Sequence, residues 1–213
     1  MNNKIYFIII LSMVLFSCSK EDVFLYDQNK EGIQFDAVSG RYSMDIDFSF
    51  QMTQKPDEWG YPTNYYFGDS IRFTTVKLPL SIMGWKADQD RKFKLKALVG
   101  DEYSSDLVEL EDSYVFRADR LKDTIELTVR RPDERGRFKV ALSFDTEGAG
   151  TDFDFGAEEK TVFTFNLTDR YTKPSDWDGR IAWLGEFSEE KYAFLVTVLH
   201  IRYEYYVDWG MHN

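Results

Sequence analysis

From Asp45 to Leu167 the sequence returns again and again to apolar–polar alternation with period two. Ile46, Phe48, Phe50 and Met52 alternate with Asp45, Asp47, Ser49 and Gln51. RKFKLKALV sets Phe93, Leu95, Ala97 and Val99 against Lys92, Lys94 and Lys96. TIELTV aligns Ile125, Leu127 and Val129; RFKVALSF aligns Phe138, Val140, Leu142 and Phe144; VFTFNL aligns Val162 or Phe163 with Phe165 and Leu167. Side chains alternate across a strand, so each stretch predicts a strand with one dry face and one wet face, the habit of antiparallel sheets. Ile33–Phe35 and Val76–Leu80 add two more. About seven short strands parted by turns such as DERG (133–136) and EGAG (147–150) predict a mainly β chain, an immunoglobulin-like antiparallel β-sandwich over residues 31–168. The Cys–Trp–Cys pattern of true immunoglobulin domains is absent, so the expectation concerns architecture alone.

The character changes after Asp169, in a C-terminal segment, 169–213. KPSDW (173–177) reads as a loop. Ser188 is then a candidate N-cap, with Glu189 and Glu190 at the positive end of a helix dipole and Phe187 placed to staple Tyr192. Tyr192, Leu195, Val196, Leu199 and Tyr203 fall on one helical face, predicting a helix from about Glu189 to His200. The β-branched Val196, Thr197, Val198 and Ile201 favour a strand instead.

The other constraint lies at the start. Lys4 precedes an unbroken apolar run from Ile5 to Phe16, too short for the ~20 residues of a spanning helix and of secretory length. Residues 1–17 are therefore expected to be a signal peptide. Leu15-Phe16-Ser17-Cys18 resembles the lipobox of bacterial lipoproteins, which implies a thioether-linked lipid on Cys18, cleavage before it, and a lipidated tether over 18–30. Phe16 is bulkier than the small residue usual there. Each buried methylene of an acyl chain contributes roughly 0.8 kcal/mol, so several chains hold a protein at a bilayer. Cys18 is the one cysteine of 213 residues, which excludes an internal disulfide framework. Ser19-Lys20-Glu21-Asp22 resembles the export signal of surface lipoproteins in Bacteroidota; a solvated tether facing the periplasm has the same composition. A net charge of −11 argues against nucleic acid as a partner, and 17% aromatic residues argue against a disordered spacer.

Taken in order, further landmarks resemble a family of Bacteroidota lipoproteins carrying a domain of unknown function. They are Tyr26, Ile33-Gln34-Phe35, Asp90-Arg91-Lys92-Phe93, TIELTVRR, TDFDFG, the pair Pro174 and Trp177, and LGEFSEEKYAF. Such lipoproteins often accompany TonB-dependent (SusC/SusD-type) glycan importers. The resemblance thus implies an accessory role at the outer membrane, with polysaccharide and a transporter complex as partners, and it carries no catalytic residue and no cofactor.

QKPDEWGYPTNYYFGDS (54–70) is the best candidate site, read as a long loop. Flat faces of Trp59, Tyr61, Tyr65 and Tyr66 suit the apolar faces of sugar rings, while Asp57, Glu58, Asn64 and Asp69 suit hydroxyls. The competing reading is a structural connection whose aromatics bury. DTEGAGTDFDFGAEE (145–159) gathers carboxylates that suit calcium, but their order does not match an EF-hand, and a solvated acidic hairpin explains them as well. His200 and His212 are too few for a zinc site, and His200 in FLVTVLHI reads as a packed core residue. Three roles compete: a non-catalytic glycan-binding or transporter-accessory module, a structural module docking to an outer-membrane complex, and a glycoside hydrolase using two carboxylates. The expectation is no enzyme and no metal.

Overall fold

The computed structural model describes residues 31–147 and 149–200. Cys18, the tether, Tyr26, Tyr203 and His212 lie outside the described residues. Among those described, the chain forms two sheets packed face to face, one hairpin, one further two-stranded pair and a C-terminal helical unit.

The first sheet runs in the order β12 (Asp154–Phe155), β1 (Gly32–Phe35), β5 (Phe73–Met83), β10 (Lys122–Arg130), β8 (Val108–Glu109). The second runs β2 (Ser43–Asp47), β13 (Val162–Asp169), β11 (Gly136–Phe144), β7 (Leu95–Ala97). Two edge pairs, β1 with β12 and β2 with β13, are parallel; the remaining pairs are antiparallel, as alternation predicts. The inner faces interdigitate. Ile125, Leu127 and Val129 of β10 and Val140, Leu142 and Phe144 of β11 are buried, and Phe35 stacks on Phe144 with ring centroids 4.3 Å apart. Phe163, Phe165 and Leu167 take the inward positions on β13, leaving Val162 39% exposed. Pro79 sits inside β5 without disrupting it. Its carbonyl accepts from Asp36 N (2.9 Å), so its missing N–H would have faced β1 just where that strand ends.

Two alternating runs do not become single strands. The expected strand through Met52 stops at Asp47, whose Oδ1 accepts from Ser49 N (2.9 Å) and turns the chain. Ile46 and Phe48 stay in the sandwich core, while Phe50 packs into a second cluster and Met52 begins a hairpin. In RKFKLKALV the chain changes sheets at Lys94. β6 (Arg91–Phe93) pairs with β9 (Tyr114–Phe116), whereas β7 pairs with β11. Phe93 and Leu95 are buried, but Val99 lies past the end of β7 and is 87% exposed, against expectation.

The second cluster explains the C-terminal unit. Tyr66, Tyr171, Trp177, Tyr192, Ala193 and Val196 are buried together, with Phe50, Leu184 and Phe187 against them. Tyr66 and Phe50 come from before residue 168, so this small aromatic core reaches across the boundary expected there. Trp177 donates its indole N–H to Gly185 O (3.0 Å), satisfying its polar edge inside that core. The helix Glu189–Leu199 forms with Ser188 Oγ accepting from Lys191 N (3.1 Å), and Phe187 meets Tyr192 at 6.3 Å as the staple requires. Burial of Tyr192, Ala193 and Val196 outweighs the β-branched residues. The buried stripe is rotated from the expected one: Leu195 is half-buried and Leu199 is 45% exposed.

Candidate functional site

Residues 54–70 are not a loop. Met52–Pro56 (β3) and Pro62–Tyr66 (β4) pair as a hairpin from Met52 opposite Tyr66 to Pro56 opposite Pro62. Alternation within KPDEWGYP is interrupted, which hides the hairpin from a period-two reading. Its turn is built by Asp57. Oδ1 accepts from Trp59 N (2.9 Å) and Tyr61 N (2.7 Å), and Asp57 N donates to Tyr61 O (2.8 Å). Gly60 supplies the positive φ of 87° that closes the turn. Asp57 therefore shapes the tip, and the tip presents Trp59 and Tyr61, 62% and 69% exposed.

The remaining candidates separate along the hairpin. Tyr65 is half-buried, stacked on His200 at 4.0 Å, with Lys55 Nζ 3.4 Å above its ring, a cation–π contact. Tyr66 is buried in the aromatic core, facing away from solvent, and its N–H donates to His200 O (2.7 Å). Asn64 is half-buried opposite Gln54. Glu58 is exposed at the turn. His200 sits at the left-handed C-cap, half-buried, with Nδ1 2.9 Å from Tyr66 O. The expected packed core residue is thus half-buried and hydrogen-bonded against the hairpin rather than inside the sandwich core. Of the six candidates, the structure brings Trp59 and Tyr61 together at the surface and gives Tyr66 and Asp57 structural duties.

Asp69 belongs to a buried ion network. Arg131, 3% exposed, donates Nε and Nη2 to the two oxygens of Asp169 (2.7 Å each), Nη1 to Gly68 O and Nη2 to Asp69 Oδ1 (2.7 Å each). Arg135 bridges the same two carboxylates at 2.6 and 2.7 Å, with its guanidinium 4.9 Å from the Tyr171 ring centre. Burial would raise the Asp169 carboxyl, but Arg131 and then Arg135 outweigh it and hold it below the ordinary value. Asp47 is shifted the other way, raised by desolvation against the pull of its Ser49 hydrogen bonds. Opposed shifts on neighbouring carboxyls suit acid–base chemistry. Here, however, Asp169 is 3% exposed with both oxygens bound to guanidinium groups, so it cannot reach a substrate as nucleophile or base.

The acidic stretch 145–159 is also drawn into the scaffold. Asp152 Oδ2 accepts from Lys92 N (2.6 Å), and Phe153 is buried. Gly156 N donates to Ile33 O (2.8 Å), fastening β12 to β1. Its absent side chain matters, since a Cβ there would lie 2.7 Å from the Gln34 side chain. Among the described residues no group of three His, Cys, Asp or Glu could hold a metal ion, and no helix is long and apolar enough to cross a membrane. Trp85 and Trp183 are 72% and 91% exposed, and as isolated aromatics outside a polar cluster they carry no distinguishing sequence pattern.

Residues 26–201 match a family described as Domain of unknown function (DUF4843). No curated protein matches. Solved structures resemble this chain at low similarity. The apo-form Calx CBD1 domain is 6% identical with a TM-score of 0.41, covering 66% of this chain and 97% of that one. EndoBT-3987 of Bacteroides thetaiotamicron, with Man5GlcNAc product, is 9% identical with a TM-score of 0.42, covering 64% and 30%. A protein of unknown function from Bacteroides ovatus is 9% identical with a TM-score of 0.39, covering 65% and 44%. The match thus spans less than half the length of the last two chains.

Proposed function

Because the chain belongs to the DUF4843 family, whose description assigns no activity, we propose from its own surface that it is a non-catalytic glycan-binding module. One observation carries this reading: Trp59 and Tyr61 stand 62% and 69% exposed on a hairpin tip whose shape Asp57 fixes in advance. A ring face held by a rigid turn loses little freedom when a pyranose stacks on it, so stacking is retained as affinity. Exposed Glu58 stands beside them as a hydroxyl acceptor.

In this proposal Cys18 carries the lipid that holds the module on the outer membrane, facing outward, where it serves a TonB-dependent glycan importer. Affinity electrophoresis through polysaccharide gels tests the binding. Wild-type protein is retarded by at least one glycan, and Trp59→Ala with Tyr61→Ala abolishes the retardation. Equal mobility of variant and wild type across the gels that retard the wild type defeats the reading.

A docking role is favoured by a different observation. Trp183, Phe194, Val198 and Leu199 of the C-terminal unit are 91%, 64%, 53% and 45% exposed, the kind of apolar surface that marks protein contacts. Co-purification with membrane partners that survives the tip substitutions, in a protein no polysaccharide retards, supports that role instead.

A further inference from the structure

The outer face of the second sheet carries a groove that alternation alone presents as ordinary wet surface. Leu98 N donates to Ala141 O (2.8 Å), the chain then leaves the edge of β11, and Ser104 N returns to Lys139 O (2.8 Å). Between these bonds a turn closed by Tyr103 N to Gly100 O (2.9 Å) carries Asp101 and Glu102 as a wall. The floor is the outer row of β11 and β13, with Arg137 opposite Thr168 and Lys139 opposite Asn166. These residues and Ser104 enclose about 460 Å³, and a depression of about 260 Å³ continues from it through Ser104 and Phe138. Volumes of this order hold small ligands.

Its charges are only partly spoken for. Arg117, Arg130, Arg131 and Arg135 each hold a carboxylate. Arg137 is exposed, in a chain of net charge −11, and its side chain makes no hydrogen bond or ion pair among the described residues. Two positions along the strand, Lys139 Nζ is 3.7 Å from Glu102, a pair whose side chains are 46% and 64% exposed and which binds weakly. Asn166 is oriented by donating to Asp45 Oδ1 (2.8 Å). The groove thus offers an uncommitted guanidinium and a loosely held ammonium on its floor, hydroxyls at Ser104 and Thr168, and two carboxylates on its wall.

We propose that this groove binds a hexuronate residue of an acidic polysaccharide, its carboxylate on Arg137 and Lys139 and its hydroxyls shared among Ser104, Asp101 and Glu102. Guanidinium pairs with a planar carboxylate through two parallel hydrogen bonds. The acidic wall suits hydroxyl donors and opposes a more highly charged phosphate. The choice of a sugar rests on the glycan-binding reading; the groove itself shares no residue with the hairpin tip.

Calorimetric titration of the purified full-length protein with tetragalacturonate, cellotetraose and inorganic phosphate tests it. Wild type binds tetragalacturonate, more weakly as salt rises, and Arg137→Ala weakens it at least ~10-fold, the loss expected of a charge-assisted pair. The double variant Trp59→Ala/Tyr61→Ala keeps that binding. No binding of tetragalacturonate to the wild type, unchanged affinity in Arg137→Ala, or phosphate bound as tightly as the uronate overturns the proposal. If only the tip variant weakens tetragalacturonate, the groove fails and the tip reading stands. If only Arg137→Ala weakens it and no glycan responds to the tip variant, the reverse holds.

Discussion

Replacing Arg131 with Ala strikes the joint between the sandwich and the C-terminal unit. The guanidinium makes two hydrogen bonds to Asp169, one to Gly68 O and one to Asp69, all at 2.7 Å, and its side chain is 2% exposed. Asp69 in turn donates its backbone N–H to Thr197 Oγ1 of the C-terminal helix (2.9 Å), so the network reaches across both cores. Its removal leaves the buried Asp169 held by Arg135 alone and Gly68 O without its partner, and breaking a buried pair costs about 3–5 kcal/mol. For a chain of this size, each kcal/mol lowers Tm by about 2–4 °C, so the expected fall is about 6–20 °C by circular dichroism. Arg130→Ala is the control one residue away. Its partners Asp106 and Asp133 are 71% and 81% exposed, and its loss is expected to cost no more than about 1 kcal/mol. Tm values for the two variants within about 4 °C of each other would refute the reasoning, because burial would then have made no difference to the value of the pair.

Asp123 gives a pH-dependent counterpart. Burial would raise its carboxyl, but hydrogen bonds from the Arg117 side chain and backbone and from Thr124 N outweigh it and leave it at about 2. A depressed pKa stabilises above the unfolded value of 3.8 and loses that contribution as pH falls toward about 2. Asp123→Asn should therefore cost about 2 kcal/mol at pH 7 and only roughly a few tenths of a kcal/mol at pH 2, read from urea midpoints at each pH. Ser188→Ala should destabilise by about 1 kcal/mol in thermal melts, and Ser188→Asp should restore most of it. Gly68→Ala places a Cβ 2.7 Å from Thr197 Cα at a φ of 56°, so hydrogen exchange should speed up in residues 189–199. Gly60→Ala, at positive φ with open space around it, should leave exchange in that helix unchanged.

Legibility followed locality. Strands β10, β11 and β13 were plain in the sequence because their alternation is unbroken and their inner residues meet one core. The C-terminal helix was half-plain: its cap and staple use residues three to five apart, but its buried face depends on a hairpin more than a hundred residues earlier. At the candidate site, composition marked Trp59 and Tyr61, yet nothing local distinguished them from Tyr66, which lies on β4 and faces the aromatic core while they stand in the turn before it. Arg131 and Arg137 illustrate the same limit. Both are arginines at strand ends, one 3% exposed with its side chain in five hydrogen bonds and the other exposed in a groove.

Period two, turn residues and the cap before Glu189 determined a two-sheet body with a C-terminal helix, since each depends on neighbours within a few positions. Tertiary packing decided where alternating runs break, which aromatic rings face inward, and which charges find partners. Those outcomes depend on contacts between residues such as Asp69 and Arg131, or Tyr66 and His200, which are distant in the sequence and adjacent only once the chain has folded.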